Sequence, residues 1–296
     1  MGKRKANGDD KQLSKDKMDV DGAESGSEDD TEILDVDLEF FKPEPEVDFH
    51  GLKNLLRQLF DADNQLFDLS ALADMILEQH DIGSTVKCDG LESDPYAFIT
   101  VLNMHQHRSK AVVQQLTKYF LSKARASGNQ NLANLETLLS EKSSAQVGFI
   151  ITERVINMPH QVIPPLYNML QEEIQLAVTD KKPYNFTHYV VISKTYTEVE
   201  SKLDTEDNPP SKKKKAGSSS SSPETFFFHP EDEVLHRHAL GWTKFDYDTQ
   251  GDEGASDSRR VFSENGIKPQ GHLILLGSEK FKDAVKAVGE YLNAGD

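Results

Sequence analysis

Cys88 is the single thiol among 296 residues, and a nucleophilic cysteine needs a lowered pKa and a neighbouring base. No flanking motif supplies either, so Cys88 reads as a small strand residue, and a lone cysteine forms no intramolecular disulfide. His236 and His238 stand one residue apart; on a strand they would leave the same face and, with His229 nearby, could share a metal ion. Without cysteines at ligand spacing the pattern fits solvated or hydrogen-bonded imidazoles better, and no metal is expected. The chain has no G-x-x-x-x-G-K-[ST] phosphate loop, no G-x-G-x-x-G after a strand and no G-x-S-x-G elbow. Its many carboxylates show no spacing that nominates a general acid and base. No catalytic set and no cofactor are expected.

Charge carries the stronger signal. The formal net charge is −17, which repels nucleic-acid phosphates and anionic lipid and attracts basic polypeptides. Between Asp19 and Glu39 the chain has acids and no lysine or arginine, so residues 1–32 are expected to form a solvated, disordered tail. Ser25 and Ser27 precede acidic residues and are candidate phosphorylation sites that would deepen the negative field. Against this background Lys212, Lys213, Lys214 and Lys215 form one basic block inside a Pro- and Ser-rich stretch at about 204–223, expected to be a disordered insertion. A basic cluster on a flexible loop suits an acidic receptor groove, so these lysines are the candidate nuclear-localisation signal. No apolar run reaches the roughly 18 residues of a membrane span, so no membrane association is expected.

With 36% hydrophobic side chains the remainder can bury one sizeable core, read as a single domain over 33–296. Val36 to Phe40 alternates as a strand. Asp48 is expected to cap a helix with its stripe on Leu52, Leu55, Leu56, Leu59 and Phe60, and Asp68 or Ser70 a second helix through Leu69, Leu72, Ala73, Ile76 and Leu77. Strands are expected at Ser84 to Cys88 and Tyr96 to Met104, helices at Ser109 to Lys123 and Asn131 to Leu139. The unbroken run Val147 to Ile151 predicts a central strand, Pro164-Pro165 opens a helix through Leu166, Leu170 and Ile174, and Asn185 to Glu198 is a long strand. Further strands are expected at Phe226 to His229, Leu240 to Tyr247 and Gly271 to Gly277, then a terminal helix on Phe281, Val285, Val288 and Leu292, with Trp242 in the core. The fold class is α+β: one mixed, mostly antiparallel sheet flanked by helices.

Two stretches are specific. Phe40-Phe41-Lys42-Pro43 leads into Asp48-Phe49-His50-Gly51-Leu52-Lys53, and Val147-Gly148-Phe149-Ile150-Ile151-Thr152-Glu153-Arg154 runs on through Asn157-Met158-Pro159 to Pro165-Leu166. Together they resemble the BCCIP/Bcp family, with a fungal character, from about Asp35 to the C-terminus. That resemblance implies a nuclear, shuttling escort of client proteins, with roles in nuclear export and in protecting a basic large-subunit ribosomal protein. It also implies a fold similar to GCN5-related acetyltransferases. Acetyl-CoA binding there needs a glycine-rich turn offering backbone donors at a helix N-terminus. Arg154 to Pro159 has no glycine and loses donors at Pro159, Pro164 and Pro165, so acetyltransferase activity is the disfavoured alternative.

The expected mechanism is capture of a lysine- and arginine-rich client, masking its charge from RNA, with nuclear transport receptors as further partners and no direct nucleic-acid contact. Asp29, Asp30, Glu32, Asp246, Asp248, Asp252 and Glu253 are the candidate client-binding residues, Asp257 extending the second cluster. A regulatory scaffold for cell-cycle or repair proteins is the rival.

Overall fold

The computed structural model describes residues 37–198, 224–249 and 266–294. The tail with Ser25, Ser27, Asp29, Asp30 and Glu32, the block Lys212 to Lys215, and Asp252, Glu253 and Asp257 lie outside the described residues.

The chain opens on β1 (Glu39–Phe41), and α1 (Pro45–Phe60) follows at once. Pro45 suits the first helical position, where its missing N–H would be unsatisfied anyway. The cap differs from expectation. Glu44 is the N-cap, while Asp48 lies inside the first turn, fully buried, and its carboxylate accepts a hydrogen bond from the Glu44 N–H at 2.8 Å. Leu52, Leu55, Leu56, Leu59 and Phe60 are all buried, each stabilising the fold by about 1.5–3 kcal/mol. A short 3₁₀ turn leads to α2 (Leu69–Leu77), whose N-cap is Asp68, accepting from the Ala71 N–H at 3.0 Å.

Then come β2 (Ser84–Lys87), β3 (Ala97–Asn103), α3 (Ala111–Ala126), α4 (Gln130–Leu138), β4 (Val147–Arg154), α5 (Ile163–Thr179) and β5 (His188–Glu198). β6 (Thr225–Phe227), α6 (Pro230–Arg237), β7 (Gly241–Phe245), β8 (Ile267–Gly277) and α7 (Ser278–Asn293) complete the described elements. All eight described strands join one sheet in the order β1-β2-β3-β4-β5-β8-β7, with β6 pairing beside β5. Every pairing is antiparallel except β4 with β5. The α+β class with a mixed, mostly antiparallel sheet is therefore as read from the sequence.

The apolar run of β4 divides between two cores, because neighbouring strand residues face opposite ways. Val147, Phe149 and Ile151 join α1 to α4 on one face, and Ile150 joins α5, α6 and α7 on the other. Gly148 lets the strands close up: a Cβ there would lie 2.8 Å from Val101 Cγ2.

Two further expectations fail. His236 and His238 do not share a strand: residues 230–237 are helical, with Pro230 at the first position, Glu231, Asp232 and Glu233 in the first turn and His236 and Arg237 in the last. That charge order complements the helix dipole. Trp242 is not core; it sits on β7 with 42% of its surface exposed.

Candidate functional site

The one parallel pair among the described strands, β4 and β5, is joined through α5 and stays together only from Val147↔His188 to Ile150↔Val191. β4 then continues against β3, β5 continues against β8, and β6 takes the freed side of β5 at Thr195 to Thr197. A gap at the carboxyl ends of such strands is the usual ligand crevice of open α/β sheets. Here it is filled from within. Glu153, from β4, has a wholly buried carboxylate that accepts from Lys194 Nζ at 2.6 Å and Gln58 Nε2 at 3.0 Å, and meets His229 Nε2 at 2.7 Å. Lys194 Nζ also donates to the Gln58 carbonyl at 3.2 Å, while the Phe228 N–H donates to the Lys194 carbonyl at 3.2 Å. Beside them Arg154 Nε donates to Glu231 Oε1 at 3.1 Å and Arg154 Nη1 to the Met158 carbonyl at 2.9 Å. The plug thus draws on α1, β4, β5 and the start of α6.

The turn after β4 commits its donors the same way. The Val155 N–H donates to the Tyr96 carbonyl at 2.9 Å and the Met158 N–H to the Val155 carbonyl at 3.0 Å. A bound pyrophosphate would have to break both.

Electrostatics follow from burial and pairing. Burial alone would raise the Glu153 pKa, but the Lys194 ammonium and His229 outweigh it and hold the carboxyl at about 2. Burial pulls His229 down, and Glu153 more than reverses that. Asp232 is the exception: burial first, then the Glu231 carboxylate, push it up to about 7 against a partial pull from His229. Its folded pKa exceeds its unfolded value of 3.8, so folding binds a proton and stability falls as pH rises from about 4 to 7. Asp232→Asn is therefore expected to gain about 2–4 kcal/mol relative to the parent between pH 4 and pH 8, read from urea midpoints. An equal difference at both pH values would refute this.

The sequence-nominated acids that are described anchor the chain where it leaves β7. Asp246 accepts from Lys268 Nζ and Gln270 Nε2, both at 2.7 Å, and Asp248 from Lys123 Nζ at 2.7 Å. Lys123 lies 4.7 Å from the centre of the Phe245 ring and 5.0 Å from that of Tyr119, and Asp63 accepts from the Tyr119 hydroxyl at 2.8 Å. Both aspartates keep about half of their side-chain surface in water.

A more open acidic surface lies apart from the sequence-nominated acids. In the loop between β2 and β3, Asp89, Glu92 and Asp94 are exposed together with Leu91 and Tyr96. Glu39 pairs across from Lys87 at the same end of the sheet, and Val155, bonded to Tyr96, brings up Ile156, 67% exposed. Pro95 packs against Gly51 of α1, where a Cβ would lie only 2.4 Å from its Cδ. Alternating acids and apolar residues between two strands were the available signal. Cys88, just past β2, has its thiol pushed up by burial and by Asp89, the wrong direction for a nucleophile. His229 bonds Glu153 while His236 faces His272, so these imidazoles do not converge; among the described residues no group of three or more His, Cys, Asp or Glu could hold a metal ion. Nor is any described helix long and apolar enough to cross a membrane.

Comparison with known proteins agrees with this architecture. The BCCIP family model matches residues 33–235. Protein bcp1 of Aspergillus fumigatus is 54% identical over 297 residues, covering 99% of each chain, and protein bcp1 of Schizosaccharomyces pombe is 47% identical over 266 residues, covering 90% of this chain and 93% of its own. The crystal structure of BCP1 from Saccharomyces cerevisiae superposes with a TM-score of 0.60 at 24% identity, covering 93% of this chain and 98% of that one, and so shares the fold. On this agreement of family model, near full-length relatives and fold, the chain belongs to the BCCIP family.

Proposed function

We propose that this protein is a non-enzymatic acidic escort that binds and shields a basic client, of the large-subunit ribosomal protein class, and supports its passage between nucleus and cytoplasm. The supporting observation is a net charge of −17 on a body whose strand-end crevice is filled by its own Glu153, Lys194 and His229. Long-range attraction collects a lysine- and arginine-rich chain, and the client leaves where ribosomal RNA, a denser polyanion, competes better. Exposed ion pairs contribute only about 0.2–1 kcal/mol each, so tight capture needs many of them around an apolar anchor. Leu91, Tyr96 and Ile156 beside Asp89, Glu92 and Asp94 supply that combination. The block Lys212 to Lys215 is the address read by an import receptor, and other transport receptors are further partners.

Salt tests the mechanism. At about 0.5 M the screening length is roughly 4 Å. Client affinity, measured by calorimetry with a recombinant basic ribosomal protein, is expected to fall at least tenfold between 0.1 and 0.5 M salt, an order-of-magnitude estimate for several screened pairs. Unchanged affinity would reject charge masking and favour a regulatory scaffold that uses neutral grooves.

A further inference from the structure

Trp242 is the only tryptophan of the chain, and its exposure has a specific setting. Alternation along β7 puts Trp242 and Lys244 on the α6 side of the sheet, and Lys244 stands across from His272 of β8. His236, from the last turn of α6, stacks against both rings: its centroid is 4.2 Å from Trp242 and 5.0 Å from His272, the two imidazoles only 23° from parallel. Phe227 of β6 meets both imidazoles edge-on at 5.4 Å. These four rings wall a recess of about 310 Å³.

Two features point to an occupant. An indole left open on a ring-walled recess is the kind of surface that dominates protein interfaces, whereas a purely structural tryptophan would gain more by being covered. The charges lining the recess run against the sign of the whole molecule: Lys244 and Arg237 are there with one carboxylate, Glu233, which Arg237 already engages. Among the described residues Lys244 Nζ meets only the Thr225 hydroxyl, at 2.9 Å.

We infer that this recess is a docking pocket for a bulky apolar side chain flanked by carboxylates, on an acidic segment of a partner protein. The side chain lies against Trp242 and Phe227, and a neighbouring carboxylate pairs with Lys244, whose hydroxyl partner is easily exchanged. Burial keeps both imidazoles below their ordinary pKa, so the ring stack stays uncharged near neutrality. The partner's charge is opposite to that of the basic client, so this is a second partner class reached from a different surface.

The single indole reports on its own pocket. An acetylated heptapeptide with a central phenylalanine between three aspartates on each side is titrated into the full chain to about 1 mM, a concentration suited to weak peptide contacts. Trp242 emission is expected to shift to shorter wavelength and to resist acrylamide quenching. Replacing the phenylalanine by alanine is expected to weaken the response about tenfold or more, the scale of one lost anchor. Lys244→Glu is expected to abolish it while leaving the circular dichroism of the parent. Calorimetry with Trp242→Ala, which removes the reporter and the anchor together, should show no binding. No spectral change with the aspartate peptide would overturn the proposal, as would an equal response to a peptide with lysines in place of the aspartates. Capture of the basic client is read separately by its salt dependence, so failure of either reading leaves the other standing.

Discussion

Glu153→Ala is expected to lower the unfolding free energy by about 3–5 kcal/mol, because it leaves the Lys194 ammonium and the His229 imidazole buried without their shared anion. Lys194 is 8% exposed and His229 7%, so water does not replace the carboxylate. A urea titration at pH 5.5 reads the loss, and the sign of each pKa shift sets where it is greatest. Glu153 is held below its ordinary 4.5, so its contribution is present above that value and lost as pH falls towards about 2. His229 is raised above 6.5, so its contribution is complete below 6.5 and lost as pH rises through its folded value. The gap between parent and variant should therefore be widest between about pH 4.5 and 6.5 and narrow on both sides. Removing both charges with Glu153→Leu and Lys194→Met should recover most of the loss, since isosteric apolar pairs replace buried ion pairs at little cost. A single variant as stable as its parent would mean that the crevice is open to water.

What was legible in the sequence was whatever repeats over a few residues. The stripe from Leu52 to Phe60, the Asp68 cap and the two-sided apolar run of β4 are local patterns, and each stands in the structure where periodicity put it. What was not legible depends on residues far apart. Lys194 reaches a carbonyl 136 residues away, and His229 a carboxylate 76 residues away, so nothing near Glu153 announces its partners. The same limit applies to Asp246 and Asp248, whose partners Lys268, Gln270 and Lys123 are distant in the chain and leave no local mark on the acidic run. The error over His236 and His238 was different, because its corrective signal was local: proline, then three acids, then Arg237 at the far end describe a short helix. Trp242 stands on the edge strand β7, where His236 and His272 cover one part of its ring and 42% of its surface stays exposed, an outcome that depends on residues distant in the chain.

The second large effect lies two strands away from Glu153, at the end of β2. Lys87 and Asp48 are both 0% exposed, with Nζ 2.6 Å from Oδ1, and the same Nζ donates to the Leu91 carbonyl at 2.6 Å. One ammonium thus ties the first turn of α1 to the loop that carries Asp89, Glu92 and Asp94. Lys87→Met should cost about 3–5 kcal/mol, because it strands the fully buried Asp48 carboxylate and leaves it, among the described residues, only the Glu44 N–H. Adding Asp48→Asn removes the stranded charge while keeping an acceptor for that N–H, so the double variant should return towards parental stability. It does not restore the tie to Leu91. If the loop acids serve client capture because they are held in place, the double variant folds well and still binds the basic client several-fold more weakly, a cost on the scale of ordering one loop. Full stability together with full client affinity would place capture elsewhere on the acidic surface, and weakened affinity at full stability assigns it to this loop.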